Sequence, residues 1–361
     1  MIKNIPWAPP QIGKDEQEAI EQVMKSDWLS QGTQTELFEK KIAKFTNAKY
    51  AVVTNNGTSS LIAALLAHNI KPGDEVIVPS LTFVSSVNAI LAVGAKPVLA
   101  DCDTNTFNTN VKLIKNLVTK KTKAVMPVDV SGMPIDVKEF QDYCAENNLI
   151  LIEDAAEALG AEYKKKKIGS FGHSTIFSFH MAKVVAGIEG GCIVTNDKTI
   201  AEKLKLIRSH GDTGDYNSTL FGLNFRISDI HAALALAQLK QIKQFLKHRQ
   251  NLAKIYKDEL HNFEFQLIPD YVTLHPYMLF AILLDSKKRN SLRKFLSKNG
   301  IDTRICWPPI HKQPFHSNLF RDQKLPNSEK IFSKILNLPM GNGLTETNIH
   351  HVAKMINKYL K

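Results

Sequence analysis

Lys183 stands between Ala182 and Val184 in the stretch FSFHMAKVVAGIEGG, residues 177–191, while the lysines before it cluster at Lys164 to Lys167. Desolvation favours the neutral form of an amine, and a neutral lysine is a nucleophile toward carbonyls. A lysine in apolar company therefore points to Schiff-base chemistry. A solvated strand end accounts for the same residue without any chemistry, so the rest of the chain must decide.

Three further stretches supply the partners such chemistry needs. LILIEDAAEALG ends a strand in Glu153 and Asp154, at the carboxyl edge where open α/β sheets place ligands. A carboxylate turned inward there needs a positive partner, and the protonated nitrogen of a pyridine ring is one. Glu157 lies on the same side if a helix starts at this point; in that case a capping role for Asp154 is the plain alternative. TNNGTSSL follows a strand and opens a helix, so the N–H groups of Gly57, Thr58 and Ser59 form an anion site backed by the helix dipole. No Gly-Lys-Ser/Thr follows, which excludes a P-loop; an ordinary turn and cap remain the alternative. PSLTFVSS places Phe83 just past a strand end, where it lies flat on a ring or packs in the core.

Around Lys183 itself, Ser178 is a hydroxyl donor for a phosphate, and Gly187, Gly190 and Gly191 let backbone pass close to a ligand. His180 is a candidate proton shuttle or structural histidine, and Glu189 a candidate acid or a turn ion pair.

These residues have to be positioned by a chain of 361 residues with 43% hydrophobic content, enough for one large core and a smaller lobe. No apolar run approaches a membrane span, and MIKNIPWAPPQ, broken by prolines, is not of signal-peptide type. A cytoplasmic enzyme with no membrane contact is expected. Cys102, Cys144, Cys192 and Cys306 are scattered without CxxC spacing, so free buried thiols are expected and no metal. The net charge of +11 favours anionic partners. The basic residues are dispersed and lack aromatic interleaving, so a small phosphorylated molecule suits the sign better than nucleic acid.

The positioning elements read as alternating helices and strands. ELFEKKIAKF puts Leu37, Phe38, Ile42 and Phe45 on one helical face, YAVVT is a buried strand, and TSSLIAALLAHNI is a helix with Thr58 or Ser59 near its N-cap. The alternation continues to LILIED and predicts a mostly parallel sheet with helices on both faces. STIFSF and CIVTN lie too close for a helix between them and are expected to pair across the insertion that carries Lys183. From Asn224, an uninterrupted helical run through residue 256, with Ser228 or Asp229 as its cap and free of proline and glycine, reads as a connector to a smaller α+β lobe. The expected division is residues 1–227, an N-terminal arm with the large cofactor domain, and 228–361, the connecting helix with the small lobe.

A phosphate cradle, a stacking aromatic, an aspartate on a strand end and a lysine after a later strand follow the order of a pyridoxal-phosphate enzyme of the aspartate-aminotransferase fold, fold type I. With IPWAPPQIGKDEQEAIEQVMKSDWLSQG, NNGTSSL, VPSLTFVSSVNAI, IEDAAEALGA, FSFHMAKVVAGIEGG and GLNFRISDIHAALALAQL, the chain resembles the DegT/StrS family of nucleotide-sugar aminotransferases nearly end to end. Within that family, Glu157 included, it is most similar to perosamine synthases and related carbon-4 aminotransferases.

The resemblance implies that Lys183 forms the Schiff base with pyridoxal 5'-phosphate and shuttles the proton, and that Asp154, assisted by Glu157, holds the pyridinium nitrogen. It implies that Phe83 covers the ring, and that Gly57, Thr58, Ser59 and Ser178 hold the phosphate. Asn224 would reach the phosphate from the second subunit of a homodimer, and His180, Arg226 and His311 would help bind the donor carboxylate or the sugar diphosphate. The implied reaction takes the amino group of L-glutamate, passes through the pyridoxamine form, and delivers it to a nucleotide-linked 4-keto-6-deoxy sugar for surface polysaccharide or glycan synthesis. Transfer to carbon 3 is the near rival. The dehydratase branch, which has histidine at the Schiff-base position, is opposed by Lys183, and a regulatory or nucleic-acid-binding protein on the same fold has no use for the lysine and aspartate. The chain departs from the family pattern at Ile188, where glycine is common and a different turn is expected, at Asp129 and Ser131 in place of histidine and tyrosine, and at His173 in place of aspartate.

Overall fold

The computed structural model describes residues 4–305 and 307–360. Cys306, one of the four expected thiols, lies outside the described residues.

The chain begins with helices α1 (Lys14–Met24) and α2 (Thr33–Thr46), then strand β1 (Tyr50–Thr54) and helix α3 (Gly57–Ala67). Strand β2 (Glu75–Pro79), helix α4 (Ser85–Ala92), strand β3 (Lys96–Ala100), the short helix α5 (Val111–Ile114), strand β4 (Thr122–Val125), helix α6 (Val137–Glu146) and strand β5 (Ile150–Asp154) continue the alternation. A small hairpin, β6 (Glu162–Tyr163) and β7 (Lys166–Lys167), holds Lys164 and Lys165 at its turn and the rest of the lysine cluster in β7. It precedes β8 (Ser174–Ser178), β9 (Gly191–Thr195) and helix α7 (Lys198–Arg208).

Seven of these strands form one sheet in the order β1-β9-β8-β5-β4-β2-β3. The β3, β2, β4, β5 and β8 run is parallel, and β9 pairs antiparallel with both β8 and β1. The reason is legible in the apolar runs: VVT, EVIVP and GCIVT are buried along their whole length, as strands covered on both faces must be. The expected pairing of STIFS with GCIVT holds, with Ser178 opposite Gly191. Lys183 is thereby carried on the connection between two central strands, beyond the carboxyl end of β8.

The helical run expected through residue 256 starts at its expected cap, Ser228, but is two helices, α8 (Asp229–Lys240) and α9 (Ile242–Glu259), separated at Gln241 (φ −96°, ψ 0°). α8 is buried nearly all round and packs on α1 and α2, whereas α9 buries only one face. The large core spans the junction through Leu239, Ile242, Phe245 and Leu246, and α9 then places Leu252, Ala253 and Tyr256 in a separate core. That core also takes side chains from strands β11 (Phe280–Leu283) and β12 (Ile335–Leu338), which pair antiparallel, and from helices α10 (Ser286–Lys298) and α13 (Glu346–Leu360). Strand β10 (Val272–Leu274), between α9 and β11, pairs instead with β6. Helices α11 (Pro314–Ser317) and α12 (Pro326–Lys334) precede β12. The N-terminal arm returns to this lobe: Ile5 pairs with Ile301, and the Met340 N–H donates to the Trp7 carbonyl at 2.8 Å.

Two local expectations change. Leu37 is 40% exposed although Phe38 and Ile42 are fully buried, so the apolar face of α2 is narrower than its sequence suggests. The N-cap of α3 is Asn56, whose Oδ1 accepts the Ser59 N–H at 2.8 Å, so neither Thr58 nor Ser59 caps it. No helix among the described residues is long and apolar enough to cross a membrane.

Candidate functional site

The carboxyl ends of β1, β5 and β8 open onto a cavity of about 700 Å³. Gly57, Thr58, Ser59, Phe83, Asp154, Glu157, Ser178, His180 and Lys183 all line it, so residues up to 126 positions apart in the chain converge as the sequence reading expects. Asn224, Arg226 and His311 are not among its lining residues.

At one end the first turn of α3 faces the cavity. The Asn56 side chain takes the Ser59 N–H and its backbone carbonyl the Ser60 N–H at 3.1 Å, which leaves the N–H groups of Gly57 and Thr58 for a ligand. Gly57 packs closely on β8: a Cβ there would stand 3.3 Å from the Ser178 Cβ. Thr58 Oγ1 and Ser85 Oγ are 2.7 Å apart, so the Thr58 hydroxyl is held in place.

At the other end lies Asp154, on the last residue of β5 and 5% exposed. Ser86 Oγ donates to its Oδ2 at 2.7 Å and the Ala156 N–H to its Oδ1 at 3.2 Å. Burial pushes the Asp154 carboxyl above the usual carboxylate range, against the lowering pull of those two bonds and of the Lys183 charge. A cation seated beside it would relieve that penalty.

No helix follows Asp154, contrary to the condition set for Glu157; residues 155–160 form turns. Glu157 reaches the site all the same. Its Oε1 is 3.2 Å from Lys183 Nζ, and its Oε2 accepts the Ser131 N–H at 2.9 Å. Ser131, one of the departures from the family pattern, thus touches the site through its backbone. The Lys183 side chain is only 17% exposed, and Val184, Val185 and Ala186 behind it are buried.

The connection carrying Lys183 is an extension of the β8–β9 hairpin. The Phe179 N–H donates to the Gly190 carbonyl at 2.9 Å and the Met181 N–H to the Ile188 carbonyl at 3.0 Å. A different turn was expected because Ile188 stands where glycine is common. In the structure Ile188 takes the left-handed conformation, with φ +66°. Gly191 is required at the hairpin base, since a Cβ there would lie 2.4 Å from the Asn56 carbonyl oxygen.

Phe83 is 52% exposed at the cavity edge and meets Trp307 edge-on, with ring centroids 5.9 Å apart. His180 sits at the rim, its Nε2 3.9 Å from Glu189 Oε1. His311 is 4% exposed and fully engaged, with Nδ1 2.8 Å from Ser80 Oγ and Nε2 3.0 Å from Glu329 Oε1. It ties α12 to β2, and within one protomer it has no free nitrogen for a substrate. Asn224 is exposed and bridges to Ser209, in a segment that also exposes Tyr216 and Phe221.

Four contributors escaped the sequence reading. Ser86 and Ser131 act through contacts that only the folded chain creates, Trp7 and Trp307 come from opposite ends of the sequence, and the one visible signal was tryptophan beside proline in IPWAPP and CWPPIH. A second hollow, about 430 Å³ beside Trp28, has no comparable chemistry: it has no lysine, histidine or cysteine in its lining, and of its two carboxylates, Asp27 and Asp229, the latter is consumed by the N–H groups of Gly32, Gln34 and Thr35.

The donor set fits pyridoxal phosphate. Open helix-terminal N–H groups and Ser178 suit its phosphate, the buried carboxyl of Asp154 suits a ring nitrogen carrying a proton, and Lys183 suits its carbonyl. Comparison with known proteins agrees. Residues 10–357 match the DegT/DnrJ/EryC1/StrS aminotransferase family. The chain is 35% identical to the GDP-perosamine synthase of Escherichia coli O157:H7, over 99% of each sequence. It is 36% identical to the GDP-perosamine synthase of Caulobacter vibrioides, again over 99% of each. Among solved structures it resembles Helicobacter pylori PseC, an aminotransferase of pseudoaminic acid biosynthesis, with a TM-score of 0.92 and 30% identity over 99% of both chains.

Proposed function

The chain belongs to the DegT/DnrJ/EryC1/StrS aminotransferase family, and on that premise we propose that it moves the amino group of L-glutamate to carbon 4 of a nucleotide-linked 4-keto-6-deoxy sugar. It is a fold type I sugar aminotransferase, and its cofactor is pyridoxal phosphate. The observation that carries the reading is the convergence of Lys183, Asp154 and the α3 N-terminus in one cavity.

Pyridoxal phosphate, when bound, supplies a carbonyl for the lysine and a ring that accepts electrons. The remaining work falls to the chain. Gly57, Thr58, Ser59 and Ser178 hold the phosphate, and Asp154, oriented by Ser86, keeps a proton on the ring nitrogen. Glu157 fixes Lys183 Nζ, which takes a proton from the donor's α-carbon and returns one to the acceptor carbon. Phe83 keeps water off the exposed ring face. In this proposal residues 1–227 carry the cofactor and residues 228–361 supply the connecting helix and smaller lobe.

The proposal includes a homodimer in which Asn224 completes the phosphate site of the second subunit. Its support is that Asn224, Tyr216 and Phe221 are exposed on one segment, and that Lys183 is the only lysine or arginine among the described lining residues. One cation is too few for a phosphate and a dicarboxylic donor together. Arg226 and His180 are assigned to the donor or the sugar diphosphate. A cytoplasmic location is supported by the free buried thiols of Cys102, Cys144 and Cys192.

The acceptor follows from the two GDP-perosamine synthases, each about one-third identical over nearly its whole length. Incubation of the holoenzyme with L-glutamate and a panel of GDP-, dTDP- and UDP-linked keto sugars, with NMR of the product, tests it. An amine on carbon 4 supports the reading, and an amine on carbon 3 replaces it.

A further inference from the structure

The cavity is polar at the floor and aromatic at the mouth. Its floor holds Ser178, Asp154, Glu157 and Lys183, while Trp7, Phe83 and Trp307 come together from the N-terminal arm, the large sheet and the smaller lobe. Trp7 is firmly held. Its carbonyl accepts the Met340 N–H, the Arg304 guanidinium lies 5.8 Å from its ring centroid, and Gly341 allows the arm so close that a Cβ would meet the Pro9 carbonyl at 2.7 Å. Trp307 is half-buried and meets Phe83 edge-on, one ring beyond the position assigned to the cofactor.

Two tryptophans kept partly uncovered at a cavity mouth need an apolar face to cover them. L-Glutamate has no such face, since two carboxylates and an ammonium surround its short chain. The ring of a 6-deoxy sugar does, because its axial C–H bonds and its methyl group lie together. We infer that Trp7 and Trp307 form the acceptor-selecting wall of the site, packing against the apolar face of the deoxysugar and leaving the donor half of the reaction untouched. This rests on the reading under Proposed function, and it assigns the aromatic wall to the sugar rather than to the nucleotide base because Trp307 touches Phe83.

The test uses holoenzyme of the wild type, Trp307→Ala, Trp307→Phe and Trp7→Leu, with L-glutamate and GDP-perosamine as separate amino donors and the visible cofactor band as readout. Calorimetric affinity for GDP-perosamine, measured on borohydride-reduced holoenzyme that cannot turn over, gives a reading independent of activity. Trp307→Ala should raise the GDP-perosamine half-saturation and dissociation constants about tenfold, with Trp307→Phe restoring most of the loss and the glutamate rate staying within about twofold. Trp7→Leu reports from a separate segment and should weaken GDP-perosamine binding without slowing glutamate. Equal losses toward both donors, or unchanged affinity for GDP-perosamine, would overturn the inference. A wild type that glutamate converts and GDP-perosamine does not would remove the proposed acceptor and the wall's occupant with it, a failure visible without any variant.

Discussion

Lys183 Nζ and Glu157 Oε1 stand 3.2 Å apart, and the other oxygen of Glu157 is anchored by the Ser131 N–H at 2.9 Å. The pair is shielded, with 17% and 8% of the two side chains exposed, so removal of one partner leaves the other short of a bond. Glu157→Ala should destabilise the cofactor-free protein by about 1–3 kcal/mol in urea unfolding. Glu157→Gln, which keeps an acceptor for Ser131, should lose less than half as much. Equal losses would mean that the charge, and not the anchored geometry, is what matters.

Asp129 is fully buried, accepts the Ile135 N–H at 3.0 Å through Oδ1, and has no partner at Oδ2. Burial first, and then the charge of Glu153, push its carboxyl well above the ordinary range. A folded pKa above the unfolded one means that the native state binds the extra proton, so this group's contribution to stability falls as pH rises from about 4 through the folded value. Asp129→Asn removes that penalty. Its stability relative to wild type should therefore improve as pH is raised from about 4.5 to about 7.5, checked by paired urea titrations. Parallel pH profiles would rule out a protonated Asp129.

Ile188 holds φ +66° with half of its surface exposed. A β-branched residue in the left-handed region costs about 1–2 kcal/mol, and little burial is lost on its removal. Glycine adds back about 0.5–1 kcal/mol of unfolded-chain entropy. Relief of strain is the larger effect, so Ile188→Gly should stabilise the protein by a few tenths to about 1 kcal/mol. A midpoint that falls on denaturation would show that the isoleucine side chain is packed in the assembled enzyme.

Asn224 lies outside the cavity of its own protomer and on an exposed segment. If it serves the neighbouring site, Lys183→Ala and Asn224→Ala proteins, each nearly inactive, should regain activity when their subunits are exchanged. Random pairing places both defects in one site of the heterodimer and leaves the other intact, so recovery should approach about one quarter of wild-type activity per total subunit. No recovery after verified exchange would place Asn224 outside the shared site.

Much of this site was legible in the sequence because its residues sit where element types change. Strand ends at Asp154 and Ser178, and the turn at Gly57, follow from apolar runs meeting glycine, serine and acidic residues. What escaped depended on tertiary cover. Gln241 interrupts a run of good helix formers where a helix buried nearly all round gives way to one buried on a single face, and β12 hides in KILNL directly after α12 without a turn residue. His311 is a histidine in a suggestive segment, and within the protomer the fold uses its two nitrogens on Ser80 and Glu329.

The most direct test of the proposed chemistry is the visible spectrum of the protein with pyridoxal phosphate, before and after L-glutamate, followed by borohydride reduction and peptide mapping. A cofactor band that glutamate shifts to the pyridoxamine form, with the reduced label on Lys183, is the expected result. No band, or a label on another lysine, would contradict the role assigned to Lys183 and the aminotransferase mechanism built on it.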